Sequence, residues 1–150
     1  MSQPAIFSVS EVTRRPRRTL APSVAPALRA ARSHLRDAKE ARSAPERYVS
    51  AHLAALRAAA AVLAQRSDPA ARSGRGRRPR SAWEQLPAAA PELAEWAAFF
   101  AAGAAKRAAA EAGLTNAVTG DEADALVREA GVFLSVVESL LGCHPSHRAG

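Results

Sequence analysis

Among 150 residues there is one cysteine, Cys143, one tyrosine, one methionine and only two lysines. A single cysteine excludes an intrachain disulfide, and the expected compartment is a reducing cytoplasm. Long apolar runs are missing too. The longest uncharged one, Trp96 to Ala105, is about half of what a spanning helix needs, so no membrane role is expected. Near the start, Pro4, Ser8, Ser10 and Glu11 break up any secretory apolar core. Valine-rich alternation is absent, which removes the strand signature. There is no Gly-Lys-Ser/Thr after Gly74 and Gly76, no nucleophile elbow, no Cys-x-x-Cys and no His-Glu-x-x-His. Cys143, His144 and His147 put three donors in a short tail with no fourth ligand near them in sequence. No metal and no cofactor is expected.

What the chain has is alanine and arginine. Apolar residues make up 48% of it and aromatics 5%. Alanine buries little area but is the best helix former, so the class is all-α and the core must rest on a few Leu, Val, Phe and Trp side chains. The net charge is +7 and is unevenly spread. Residues 1–21 carry +3 and residues 66–80 carry +5, leaving −1 for the remainder. Arg72, Arg75, Arg77, Arg78 and Arg80 crowd a Gly/Pro/Ser-rich connection. Basic segments of this kind suit RNA or DNA phosphates, and equally serve as plain solvated linkers.

The organisation reads as a disordered basic arm (1–21), a helical bundle (22–142) interrupted by a flexible Arg-rich loop (66–80), and a disordered tail (143–150). Val24, Leu28, Ala31, Leu35 and Ala38 recur at intervals of four and three, one face of a first helix to about Arg42. Ser43 caps a second helix with Pro45 in its first turn. That helix has two apolar stripes, one through Val49, Leu53, Leu56, Ala60 and Leu63, the other through Tyr48, His52, Ala55, Ala59 and Val62, which predicts a central position. Ser81 and Glu84 form a capping box, Pro87 interrupts the short helix it starts, and Pro91 opens the next. Leu93, Trp96, Ala97, Phe100 and Ala104 make the stripe there. Gly113 is the expected stop, with Leu114 packing back on it. Thr119 and Glu122 form another box, and Leu126, Ala130, Phe133, Val137 and Leu140 line a last helix that Gly142 ends. The sum is an up-and-down bundle of four main helices.

Three segments read together resemble a known family. They are Glu46-Arg47-Tyr48-Val49-Ser50-Ala51-His52-Leu53, then Arg77-Arg78-Pro79-Arg80-Ser81-Ala82-Trp83-Glu84, then Pro91-Glu92-Leu93-Ala94-Glu95-Trp96-Ala97-Ala98-Phe99-Phe100 through Gly103, joined by Phe133-Leu134 and Val137-Glu138. This set resembles the actinobacterial SAV-type HEPN family of higher-eukaryote and prokaryote nucleotide-binding domains, over about residues 22–142. The resemblance implies a HEPN-like helical bundle. It also implies a superfamily in which many members are dimeric, metal-independent RNases. Those members use an Arg-x(4–6)-His motif on a late helix, with histidine as acid/base and arginine stabilising charge on phosphorus. Here the last helix departs from that pattern: after Arg128 the relevant positions are Phe133, Leu134 and Ser135. Earlier matches are Arg29 with His34 and Arg47 with His52. With nineteen arginines and four histidines, about one or two such pairs arise by chance.

The expectation is therefore a non-catalytic HEPN-like module that contacts RNA or DNA phosphates through Arg72, Arg75, Arg77, Arg78 and Arg80, or docks a partner protein. One alternative is a dimeric endoribonuclease using Arg47 and His52. Another is a structural adaptor whose docking surface, for a second copy or a partner protein, is the helix of Trp96 and Phe100.

Overall fold

The computed structural model describes residues 19–67 and 80–143. Arg72, Arg75, Arg77, Arg78, His144 and His147 lie outside the described residues, as do most of the expected arm and tail. Every regular element among the described residues is a helix, with no strand among them. Helix α1 spans Val24–Glu40 and α2 spans Ala44–Arg66. Helix α3, Ala82–Ala89, leads through a 3-10 turn at Pro91–Leu93 into α4, Ala94–Ala102. Helices α5, Ala104–Glu111, and α6, Gly120–Leu141, complete the bundle.

The caps follow from local chemistry. Ser43 Oγ accepts the Glu46 N–H at 3.2 Å, which satisfies one amide that the first turn of α2 leaves free. Ser81 with Glu84 and Thr119 with Glu122 form complete capping boxes at the starts of α3 and α6. Gly142 ends α6 in a left-handed conformation, φ 73°, and Cys143 N–H returns to the Glu138 carbonyl at 2.7 Å. At Gly113 the same 6→1 and 5→2 bonds form, from Leu114 N–H to Ala109 and from Gly113 N–H to Ala110. The Leu114 side chain does not pack back as expected; it is 60% exposed. The backbone bonds stop the helix without it. Pro87 is carried inside α3. The break comes at Ala90, before Pro91, rather than at Pro87.

Helix α2 is the hub, but of its two predicted stripes only the one through Tyr48, His52, Ala55, Ala59 and Val62 is buried throughout; Val49, Leu53, Leu56, Ala60 and Leu63 are half-buried, and the intervening alanines take their place in the core. Ala51, Ala54, Ala55, Ala58, Ala59 and Ala61 are all fully buried. Small side chains let neighbouring helices approach closely. On α1, the five residues of the predicted stripe are the five buried ones. Helix α6 packs along both α2 and α1 and presents Ala123, Leu126, Ala130, Phe133, Leu134 and Val137 inward. It also buries Glu138, whose carboxylate takes Arg32 Nε at 2.8 Å and Nη2 beside it. The paired charge makes the burial tolerable.

Bulk comes from an aromatic cluster. Phe133 contacts Phe100 at 5.2 Å between centroids, Trp96 at 5.4 Å and Trp83 at 6.1 Å. Trp83 stacks on Phe100 at 5.1 Å. These rings fix α3 and α4 to α6. Truncation of Phe133 to alanine removes the ring that all three others touch. The expected loss is about 3–5 kcal/mol, read by denaturant unfolding. A loss under about 1 kcal/mol would mean the cluster does not carry the packing.

Candidate functional site

Arg47 and His52 both lie on α2, but five residues of helix turn the chain by roughly 140°, so they point to different faces. Arg47 sits in the first turn. Its Nη1 donates to the Ala41 carbonyl at 3.1 Å, and its Nε lies 3.1 Å from Asp124 Oδ1 of α6. It thereby ties the α1–α2 turn to the start of α6. His52 is 1% exposed and meets the stacked rings of Trp83 and Phe100 edge-on. The structure does not bring the two side chains together on an accessible surface.

His52 has a partner that explains its place. Its Nε2 lies 2.9 Å from the Phe100 carbonyl oxygen, to which it donates. That carbonyl stands at a helix break. Gly103 N–H bonds back to it at 3.0 Å, three residues on, where α4 ends and α5 begins. The break was not expected from the pattern, which runs on unbroken to Gly113. The break coincides with a close approach to α2. A Cβ at Gly103 would lie 2.6 Å from Tyr48 Oη and 3.7 Å from His52 Cδ2. Only glycine lets the α4–α5 junction approach this closely. Tyr48, His52 and Gly103 thus form one contact, with the histidine bonded to a carbonyl of the interrupted helix.

Burial pushes the His52 pKa below 6.5. The Phe100 carbonyl opposes that shift, Arg107 adds to it, and Glu111 opposes it. The imidazole is therefore held neutral, with its Nδ1 buried and unpartnered. Burial also raises the Tyr48 pKa; nearby Lys106 works against that shift and Glu122 with it. Lys106 and Glu122 pair at 2.8 Å and link α5 to the first turn of α6. Arg107 and Glu111, at 3.2 Å, pair one turn apart within α5 itself.

Of the predicted nucleic-acid contacts, only Arg80 is described. It is exposed, and its carbonyl accepts Gln85 Nε2 at 2.8 Å just before the Ser81 cap. Trp83, three residues on, is 5% exposed and committed to the core rather than to base stacking. Trp96 is half-buried, while neighbouring Phe99 is 46% exposed. Glu92 pairs with Arg66 at 2.9 Å, and Asp124 with Arg47. No group of three or more His, Cys, Asp or Glu suited to a metal occurs among the described residues. No helix there is long and apolar enough to cross a membrane. Sequence reasoning missed the Gly103 break and the Tyr48–Gly103 approach. The available signal was a glycine inside an otherwise unbroken alanine-rich helix.

The architecture defines the class: an all-α bundle built around one alanine-rich helix. Residues 38–138 match the SAV_6107-like HEPN family, more than half of the chain. The chain belongs to that HEPN family. No curated protein and no solved structure matches it.

Two outcomes test this local reading. Gly103→Ala should cost about 1–3 kcal/mol, and Tyr48→Phe in the same protein should return part of it by removing the clashing oxygen. Full additivity of the two changes in thermal unfolding would disprove the contact. For His52, the unfolded chain takes up a proton first as pH falls, since the folded value lies below 6.5. Its contribution to stability is whole above 6.5 and declines as pH falls from there toward the folded value. His52→Gln, which keeps an N–H donor, should show a flatter fall in Tm between pH 7 and pH 5 than the parent, the two limits spanning roughly the ordinary histidine titration. Parallel curves would contradict it.

Proposed function

We propose that this HEPN-domain protein is a non-catalytic module that binds polynucleotide phosphates through its Arg-rich loop. One observation carries the reading. The described residues hold twelve Lys/Arg and twelve Asp/Glu, so the bundle is neutral. The whole +7 of the chain resides in the segments outside the described residues. A helical body with no excess charge, joined to arginine-dense segments, suits sequence-independent phosphate contact, in which guanidinium groups displace condensed counterions. Arg75, Arg77, Arg78 and Arg80 are the main contacts.

The burial of His52 and its bond to the Phe100 carbonyl support a structural role for this histidine. A general acid/base must reach the proton that it moves, and His52 is enclosed on all sides within one bundle. The adaptor reading draws on a different feature, the 46% exposure of Phe99 beside half-buried Trp96, which suits docking of an apolar partner.

The test is incubation with labelled single-stranded RNA over a salt series, followed by mobility and by RNA integrity. The parent should retard RNA at low salt and leave it intact. Changing Arg75, Arg77, Arg78 and Arg80 to serine should weaken binding and lower the slope of log Kd against log salt by about 3, from roughly 0.7 per phosphate contact. Equal binding by parent and variant would refute the loop's role. Cleavage lost in His52→Ala would replace the proposal with the nuclease reading, and unretarded, intact RNA would leave the adaptor.

A further inference from the structure

The body is neutral in total but not evenly so. Residues 24–42 hold five Lys/Arg and two Asp/Glu, a net +3, whereas residues 81–102 hold Glu84, Glu92 and Glu95 and no Lys or Arg, a net −3. The two stretches pack on different neighbours: α1 on α2 and α6, α3 on α2 and α4. Within α1 the cations are gathered further. Arg29, Arg32, Arg36 and Lys39 follow one another at spacings of three, four and three. At roughly 100° per residue they share an arc of about 80°, over about 15 Å of helix. That arc is the flank beside α6. Arg32 Nε donates to Glu138 of α6 at 2.8 Å, and Leu35 lies 3.8 Å from where a Cβ at Gly131 would stand. Arg29, Arg36 and Lys39 are exposed.

Helix α6 adds a cation to the solvent side of this seam. Gly131, Ser135 and Arg128 lie within about 80° of Glu138 around the helix, while Glu129 lies about 180° away. Arg128 and Ser135 are exposed. The other acids of α6 stand in its first turn, where Glu122 pairs with Lys106 and Asp124 with Arg47. Of the two acids of α1, Asp37 falls about 100° beyond Arg36 and away from α6, and Glu40 stands at the outer edge of the arc in the last turn. Among the described residues Arg29, Arg36, Lys39 and Arg128 are in no ion pair, and Glu138 is the one carboxylate paired with the stripe.

Like charges three and four residues apart on a helix repel. The stripe has three such neighbours in a row, and Glu138 relieves only Arg32. Lys39 is favourable on its own account, since it stands in the last turn at the negative end of the helix dipole. Arg29 and Arg36 have no such reason. They are mid-helix, exposed and unpaired, at the two places where an acid would have paired with Arg32. A polyanion laid along the seam turns this repulsion into attraction, and guanidinium groups contact phosphates without reading sequence.

We infer that the seam between α1 and α6 is a phosphate track, with a polynucleotide strand running along Arg29, Arg36 and Lys39 and with Arg128 on the facing helix. This rests on the phosphate-binding reading above and gives the body of the protein a share in it. Arg32, with 40% of its side chain exposed, neutralises Glu138 within the track. The side of Glu84, Glu92 and Glu95 repels the same strand, which fixes the side of the bundle that the strand takes.

The experiment uses the full chain and labelled single-stranded RNA over a salt series. Arg29→Gln with Arg36→Gln keeps Arg32 in place and keeps good helix formers in α1. It should weaken binding and lower the slope of log Kd against log salt by about 1.4, from roughly 0.7 per phosphate contact. Arg57→Glu, on the exposed face of α2, changes net charge by the same amount and should leave that slope unchanged. Arg29→Lys with Arg36→Lys should keep the parent's slope, because lysine still meets phosphate as a point charge. Far-UV circular dichroism checks that the helices are intact. A glutamine variant that binds like the parent, or no worse than Arg57→Glu, would overturn the track; if the loop variant of Arg75, Arg77, Arg78 and Arg80 weakens binding in the same series, the loop reading stands without it. A lysine variant as weak as the glutamine one would also overturn the track, since the loss would not be one of charge. If the glutamine variant weakens binding and the loop variant does not, the track stands and the loop's role falls. RNA left unretarded by the parent at low salt removes both.

Discussion

Every long element of the bundle packs on α2, and most of what α2 offers is methyl groups. Six alanines on it are fully buried. Such a helix cannot fill space by itself, so it must be approached closely from several sides at once. Helices α1 and α6 answer with regular Leu, Ala, Val and Phe stripes. The short helices α3 and α4 answer with rings, since Trp83, Trp96 and Phe100 gather on Phe133. The small residues set the distance between axes, and the few large ones set which helix goes where. That division explains how a chain with 5% aromatics builds a core.

The same closeness accounts for the histidine. Where the α4–α5 segment crosses α2 next to Tyr48 there is no room for a side chain, and Gly103 takes the place. The helix breaks there, and the Phe100 carbonyl receives a second donor from His52. A neutral imidazole is well suited to this, because it brings one N–H into a nearly dry site without a charge. In this HEPN chain the Arg-x(4)-His spacing on α2 therefore corresponds to two separate structural ties. Arg47 joins the turn after α1 to α6, and His52 joins α2 to the broken helix.

The bundle has no charge to spare, and its ion pairs link neighbouring elements: Arg32 with Glu138, Arg66 with Glu92, Lys106 with Glu122. The exposed pairs Arg66–Glu92 and Lys106–Glu122 contribute little to stability, of order 0–1 kcal/mol, whereas Arg32 neutralises the buried Glu138 carboxylate. The body is balanced in total, so that the net charge of the molecule comes from the arginine-rich segments.

Much of this was legible in the chain. The stripe Val24, Leu28, Ala31, Leu35, Ala38 became the buried face of α1, and both capping boxes formed where Ser81-Glu84 and Thr119-Glu122 stand. The reason is that helix periodicity and caps depend on residues within one or two turns. The net charge and its confinement to a few segments were equally readable, since charge is a sum over residues. The break at Gly103, the exposure of Leu114 and the burial of His52 were decided only by tertiary structure. Gly103 matters because Tyr48, 55 positions earlier, lies against it. His52 is enclosed because Trp83 and Phe100 arrive from other helices. The order of residues determined which helices exist and how much charge the chain carries. The packing of those helices decided which side chains are accessible, because accessibility depends on contacts between residues far apart in the chain.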